Sequence, residues 1–179
     1  MKTLPVIPLL LFSLAGPISC EKEHAPAPSP PIVQAARAQI GKTVRYDGSY
    51  RALDYPNGDV PIESGVCTDV VIRAMRTAMK RDLQKLVHED MAAHFAEYPK
   101  LWGLKRPDKN IDHRRVPNLR TWFKRQGYAL PVSKNPEDYK PGDLVTCTVT
   151  SGRPHIMIVS NRTNAPSLPL SGHTTPSLC

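Results

Sequence analysis

The segment Gly65-Val66-Cys67-Thr68-Asp69-Val70-Val71-Ile72 constrains the fold more than any other part of the chain, because it joins a glycine-containing loop to an amphipathic helix. Apolar residues at helical spacing predict that this helix runs from Cys67 to about Arg81. The predicted buried face consists of Val70, Val71, Ala74, Met75, Ala78 and Met79, and the predicted charged face of Arg73, Arg76 and Lys80. Other elements must cover the apolar face, so the rest of the domain is expected to pack around this helix.

Cys67 stands at the predicted N-terminus of this helix. The positive end of the helix dipole and the backbone N–H groups without an intrahelical partner both stabilise a thiolate there. A thiolate attacks carbonyl carbon, so Cys67 is a candidate nucleophile. Asp69 lies in the first turn and is expected to point away from the thiol, because its charge would oppose the thiolate.

Disulfide formation is a competing role for Cys67. In an exported protein a bridge between Cys67 and Cys147 is the alternative, and Cys179 would then stay unpaired. We prefer a free Cys67, because a bridge would leave its placement at a helix tip without a use. The chain has no Cys-x-x-Cys pair and no His-x-x-x-His pattern on its predicted helices, so we expect no metal and no cofactor.

The N-terminal part of the chain predicts export. Residues 1–20 have the features of a secretory signal: a positively charged start, an apolar run too short to span a bilayer, and small residues before Cys20. Pro17-Ile18-Ser19-Cys20 is similar to a bacterial lipoprotein cleavage site, so a lipid anchor at Cys20 and simple release are both open. Residues 21–31 form a proline-rich tether, and the domain is expected over 32–179. We therefore expect a periplasmic or secreted protein.

Three further helices are predicted around the cysteine helix. A short helix over 32–40 has a single apolar face formed by Val33, Ala36 and Ile40. Asp82 is a suitable N-cap for a helix over about 83–98, and a last helix is expected over about 117–126. Residues 46–65 are predicted to be a long polar and aromatic loop, of a length that often serves function.

The pattern changes to strands in the C-terminal part of the chain. Residues 143–149 and 155–160 are rich in strand formers, and the short glycine-containing connection between them predicts a hairpin. Helices followed by strands favour an α+β domain in which N-terminal helices pack on a small antiparallel sheet. His155 begins the second strand, from which its imidazole can reach a thiol at a helix tip and act as general base. The N–H groups at the start of the Cys67 helix are candidate oxyanion donors.

A second pair of titratable residues, Asp112 and His113, precedes the last predicted helix. These side chains could bind substrate or serve as an acid–base pair. Structural hydrogen bonding near a helix start is the other interpretation.

Several motifs resemble those of the NlpC-type cell-wall peptidases, which belong to the papain superfamily. They are Tyr55-Pro56-Asn57-Gly58 before Cys67, Gly142-Asp143-Leu144-Val145, and Pro154-His155-Ile156-Met157-Ile158-Val159. From about residue 32 to 160 the chain is still more similar to a family of exported bacterial proteins of unknown function grouped in that superfamily. The shared segments are Gly-Val-Cys-Thr-Asp-Val-Val and Asn-Ile-Asp-His-Arg-Arg-Val-Pro-Asn-Leu. The resemblance implies a papain-like fold with Cys67 as nucleophile, His155 as base and Tyr55 near the oxyanion.

The resemblance also implies a polar residue that orients the base, and His173 stands at the expected place. The chain departs from the family pattern there, because Asn-Ile-Gly is expected after that histidine and Thr174-Thr175-Pro176 follows instead. From about residue 164 the sequence is irregular and rich in Pro, Ser and Thr. A truncated sheet, with an unprotected edge and a base that lacks its orienting partner, is the alternative to a complete one.

The net charge of +8 is partly concentrated between Lys105 and Arg125. A solvated helix face is one interpretation, and attraction to nucleic acid, anionic lipid or an anionic wall polymer is the other. An aromatic content of 6% provides few stacking platforms for nucleic acid, and a secretory signal also argues against it. We expect a monomer whose partner is peptidoglycan or another cell-wall polymer.

Two functions are consistent with these features. The leading hypothesis is an exported cysteine hydrolase that cleaves amide bonds in peptidoglycan stem peptides. The alternative is a non-catalytic envelope-binding module that retains the same fold.

Overall fold

The computed structural model describes residues 28–162. The predicted signal at 1–20, most of the tether, and the segment that contains His173 and Cys179 lie outside the described residues.

The described residues contain four α-helices, and α2 begins at the predicted residue. They are α1 (Pro31–Arg37), α2 (Cys67–Met79), α3 (Leu83–His94) and α4 (Val116–Arg125). Short 3-10 helices occupy Phe95–Glu97, Asp112–Arg114 and Pro136–Asp138. The apolar periodicity of the sequence therefore located each helix to within a few residues.

Two small sheets complete the described part of the chain. β1 (Arg45–Tyr46) pairs in parallel with β2 (Ser64–Gly65), and these two short strands bracket the long loop that precedes α2. β3 (Leu144–Thr148) and β4 (Pro154–Ile158) form the predicted antiparallel hairpin. The α+β class is confirmed.

Helix α2 lies at the centre of the domain, between α1 on one side and β4 on another. Its apolar face joins a single hydrophobic core to which all four helices and β4 contribute. Leu83, Leu119 and Trp122 are at most 2% exposed and are among the largest buried side chains. Burial of such side chains from several elements holds the start of α2 in one place relative to the hairpin.

The first helix is shorter than predicted, and this changes the position of one residue. Helix α1 ends at Arg37, and turns follow up to Gly41, whose φ is +77°. Ile40 therefore leaves the helical face shared by Val33 and Ala36 and is 72% exposed. Its predicted burial is wrong, because only a continued helix would have directed it toward the core.

The predicted charged face of α2 is also partly wrong, because Arg73 is buried. Its Nε donates to Asp59 Oδ2 at 2.8 Å, and its Nη1 donates to Thr43 Oγ1 at 2.9 Å. Its Nη2 donates to backbone carbonyls of the preceding loop, namely those of Val60, Pro61 and Ser64. A single guanidinium thus satisfies loop groups that would otherwise be buried without a partner, and it fixes the loop on α2.

Asp82 caps α3 as predicted. Its Oδ1 accepts from the Gln84 backbone N–H at 3.3 Å and from Arg76 Nη2 at 3.0 Å. Its Oδ2 accepts from the Asn57 backbone N–H at 2.8 Å. The N-cap of α3 therefore also holds the loop before Cys67.

Candidate active site

A cleft of about 340 Å³ opens where the N-terminus of α2 approaches β1, β2 and β4. Cys67 and His155 both line it, so the fold brings the predicted nucleophile and base to one cavity. Arg45 contributes a positive charge to the wall. The other lining residues are largely apolar and comprise Thr43, Val44, Tyr46, Gly65, Val66, Val70, Val71, Ile156, Met157 and Ile158.

Cys67 is the first residue of α2 and is a partly exposed free thiol. Two N–H groups of this turn are already occupied: that of Val66 donates to Asp69 Oδ2 at 2.7 Å, and that of Asp69 donates to the Val66 carbonyl at 3.0 Å. The N–H groups of Cys67 and Thr68 remain at the open end of the helix, where no intrahelical acceptor exists. N–H groups at such a helix start favour negative charge nearby, which makes them candidate donors to an oxyanion.

The carboxylate of Asp69 is directed to Arg114, as expected for a charge that turns away from the thiol. Arg114 donates through Nε to Asp69 Oδ1 at 2.8 Å and through Nη2 to Asp69 Oδ2 at 3.0 Å. The two side chains are only 2% and 3% exposed. Bidentate pairing in the interior neutralises both charges and fixes the first turn of α2.

Arg114 also holds the loop that faces this turn. Its Nη1 donates to the Ser49 carbonyl at 3.1 Å, and its Nη2 donates to the Asp47 carbonyl at 3.2 Å. The Arg114 carbonyl in turn accepts from Thr68 Oγ1 at 3.0 Å. Local sequence patterns do not reveal this role, although Arg114 lies in the Asn-Ile-Asp-His-Arg-Arg-Val-Pro-Asn-Leu segment shared with the exported family.

The tyrosine that lines the cleft is Tyr46, whereas the resemblance had implied Tyr55. Tyr46 is 70% exposed. Its partial burial raises the pKa of its phenol, and the nearby charge of Cys67 raises that pKa further. Tyr55 packs elsewhere: its ring centroid lies 5.3 Å from that of His88, and Lys109 Nζ lies 5.6 Å from the Tyr55 ring. The pairing of β1 with β2 brings Tyr46 beside Cys67, and spacing along the sequence does not reveal that pairing.

His155 lies directly opposite Cys147 in the antiparallel register of β3 and β4. Side chains at opposed positions of neighbouring strands are close enough to interact, so the imidazole has the Cys147 thiol near it. Cys67 and Cys147 are both free, and the alternative of a disulfide between them is not realised in the structure. Cys147 is the more exposed of the two thiols.

Asp112 and His113 are buried, with exposed fractions of 1% and 2%, and they lie apart from the residues that line the cleft. Asp112 accepts from the Asp108 backbone N–H, and its Oδ1 accepts from Arg115 Nη1 at 3.2 Å. Burial raises the pKa of Asp112. These contacts favour the structural interpretation of the pair over the substrate-binding one.

Burial lowers the pKa of His113 from its usual 6.5 to about 4, and the charge of Arg114 lowers it further. The unfolded chain therefore binds this proton more readily than the folded one, and stability falls as pH falls from 6.5 towards 4. We expect His113 to cost about 1 kcal/mol of unfolding free energy between pH 6.5 and 5.5. Urea unfolding at both pH values checks this. The change in unfolding free energy between the two pH values should be smaller in the His113→Gln variant by that amount. An equal change in the parent chain and the variant would contradict the prediction.

The basic residues between Lys105 and Arg125 do not form one solvated face. Arg114, Arg115 and Arg125 are paired with carboxylates, Arg125 with both Asp90 and Glu97. The exposed basic residues of this stretch are Lys105, Arg106, Lys109, Arg120 and Lys124. Part of the concentrated charge therefore serves the interior, and only the remainder is available to a partner.

Within residues 28–162, His, Cys, Asp and Glu side chains form no group of three or more that could hold a metal ion. In the same part of the chain, no helix has the length and apolar character needed to cross a bilayer.

The fold and the cleft define a small α+β domain in which a helix-tip cysteine and a strand histidine line one cavity. The chain belongs to a family described as a domain of unknown function (DUF1287), whose model matches residues 33–177. It is 52% identical over 176 residues to the uncharacterized protein YijF of Escherichia coli strain K12, covering 92% of this chain and 85% of that protein. No solved structure matches the chain.

Proposed function

We propose that this protein is an exported thiol hydrolase of papain-like, NlpC-type fold that cleaves amide bonds in peptidoglycan stem peptides. The observation that carries the proposal is the shared cleft, which is lined by Cys67 from the first turn of α2 and by His155 from β4. A nucleophile in the field of a helix N-terminus with an imidazole in the same cavity is the minimum required for acyl transfer.

In the proposed reaction His155 removes the proton of Cys67, and the thiolate attacks the amide carbonyl. The N–H groups of Cys67 and Thr68 stabilise the oxyanion of the tetrahedral intermediate. The intermediate collapses to a thioester when the imidazolium returns its proton to the leaving amine. Water, deprotonated by the same imidazole, then hydrolyses the thioester and releases the acid and the thiol.

Tyr46 supports this assignment, because it lines the same cleft as Cys67 and its phenol, protonated at neutral pH, can donate a hydrogen bond. In the proposal Tyr46 donates to substrate or oxyanion, in the role first expected of Tyr55. His173 stays the proposed orienting residue of His155, on the family resemblance alone. Asp112 and His113 have no part in the reaction.

The proposed setting is the periplasm, reached through the signal at 1–20, with either a lipid anchor at Cys20 or release. Three exposed basic residues, Lys109, Arg120 and Lys124, are proposed to keep the domain near anionic wall material.

Competitive alkylation tests whether Cys67 is activated. The full chain is treated with a limiting thiol alkylator at about pH 6, and the labelling of Cys67 and Cys147 is followed by mass spectrometry. Cys147 is an internal control, because it is more exposed and also lies beside His155. Accessibility alone would favour Cys147, so faster labelling of Cys67 reports chemical activation by its surroundings, namely the helix tip and His155.

We expect Cys67 to be labelled at least about tenfold faster than Cys147, and the His155→Ala variant to lose most of that difference. Equal rates at the two cysteines would refute an activated nucleophile. In that case the non-catalytic envelope-binding module would be the better description of the domain.

A further inference from the structure

Six consecutive residues, 101–106, are exposed. Two of them, Trp102 and Leu104, lie beside residues of α3 and α4. We call residues 100–106 the basic–apolar loop. Its apolar members are Leu101, Trp102 and Leu104, which are 66%, 38% and 37% exposed. Its basic members are Lys100, Lys105 and Arg106, and it contains no acidic residue. The loop is therefore both apolar and cationic on its outer side.

The base of this loop is firmly attached to the domain. Tyr98 is 2% exposed, and its hydroxyl donates to Asp90. The Arg115 guanidinium lies 4.0 Å from the centroid of the Trp102 ring and is itself bonded to Asp112 at 3.2 Å. These contacts hold the base of the loop and the Trp102 ring in place before any partner binds, which lowers the ordering cost of binding.

We propose that the basic–apolar loop docks the domain onto an anionic phospholipid bilayer. Such a surface provides what each part of the loop requires: phosphate groups for Lys105 and Arg106, and the boundary between headgroups and hydrocarbon for Trp102 and the leucines. A hydrophilic wall polymer complements the charge but offers no apolar phase for Leu101 and Leu104. This contrast is why the proposal selects lipid as the partner.

The docking is weak when it acts alone. Each basic residue near an anionic surface raises the affinity for the bilayer about fivefold. Burial of the two exposed leucines raises the affinity by a similar factor. Stable membrane attachment usually needs two such signals. The lipid anchor predicted at Cys20 would be the second, and the loop would then set the orientation of the domain on the bilayer.

Tryptophan fluorescence of the full chain tests the proposal. The chain has two tryptophans, and Trp122 is only 2% exposed in the core, so a change on vesicle addition reports Trp102. The vesicles contain phosphatidylglycerol and phosphatidylcholine, with pure phosphatidylcholine as the neutral comparison, and a parallel set carries brominated acyl chains.

With anionic vesicles we expect a blue shift of the emission, quenching by the brominated chains, and weaker binding in high salt. Vesicles of pure phosphatidylcholine should give little blue shift, little quenching and little salt dependence.

Surface variants separate loop docking from attachment by the N-terminal segment. Leu101→Asp should weaken vesicle binding about tenfold, whereas the matched change Leu130→Asp, at a leucine that is 76% exposed elsewhere, should not. The pair Lys105→Gln and Arg106→Gln should weaken binding about twentyfold. Both leucine changes are at exposed sites, so the fold is expected to persist and circular dichroism verifies it.

Three outcomes would overturn the proposal. Vesicle binding without quenching of Trp102 would assign attachment to another part of the chain. Equal effects of Leu101→Asp and Leu130→Asp would remove the loop from the interface. Binding to purified peptidoglycan but not to vesicles, lost in Leu101→Asp, would make the loop a wall-binding surface instead. None of these results bears on catalysis by Cys67, because the loop lies apart from the residues that line the cleft.

Discussion

Replacement of Cys67 by alanine should abolish amide cleavage and leave the fold intact. The thiol is the only atom group that the proposal uses to form the covalent intermediate, so its removal should lower the rate by at least about 10³-fold. Cys67 is only partly buried at the edge of the core, and alanine is a good helix former, so little stability should be lost. The measurement is release of soluble muropeptides from purified peptidoglycan, separated by liquid chromatography.

Cys147→Ala is the matched control for this experiment. It removes the other described thiol, which faces His155 across the hairpin, and should retain most of the activity. Muropeptide release that is equal in the parent chain and in Cys67→Ala would rule out the hydrolase. Loss of activity in Cys147→Ala with retention in Cys67→Ala would transfer the nucleophile to the hairpin.

Arg114→Met should have the largest effect on stability of any single change considered. The Asp69 carboxylate would remain buried without its bidentate partner, and the Asp47 and Ser49 carbonyls would lose their donor. Removal of one member of a buried ion pair typically costs about 3–5 kcal/mol. Urea unfolding followed by circular dichroism measures the change.

Two further variants separate the loss of the buried ion pair from the loss of an arginine in general. Arg120→Met removes an exposed arginine in the middle of α4 and should change the unfolding free energy by less than about 0.5 kcal/mol. Combining Arg114→Met with Asp69→Leu should recover part of the loss, because no buried charge is then unpaired. The recovery stays incomplete, since the Val66 N–H loses its acceptor. A loss below about 1 kcal/mol in Arg114→Met would contradict the assigned role.

The helices and the hairpin were predictable because their residues follow simple periods. Apolar spacing located α2, Asp82 marked the start of α3, and Pro117 and Gly127 marked the two ends of α4. Ile40 and Arg73 show the limit of such reasoning. Periodicity does not determine where a short helix stops, so Ile40 was assigned to a face that the chain does not form. A helical wheel places Arg73 among charged residues, but it does not include the loop carbonyls that bind this guanidinium.

The candidate site was predictable only in part. The chemistry of a thiol at a helix start and of a histidine at a strand start identified Cys67 and His155, which line one cleft. Tyr46 was missed because β1 and β2 pair across a loop of many residues, and no local pattern encodes that contact. The motif resemblance pointed to Tyr55, but the Tyr55 ring packs against His88 and lies near Lys109.

The Asp69–Arg114 pair also has a consequence for the order in which the protein matures. The two residues are 45 positions apart, and His155 follows still later in the chain. During synthesis the cysteine helix therefore emerges well before the residue that fixes its first turn and before the residue proposed to take its proton. An unfinished or unfolded chain carries Cys67 as an ordinary thiol. The reactivity proposed for it would arise only when folding is nearly complete, after any transport that requires an extended chain.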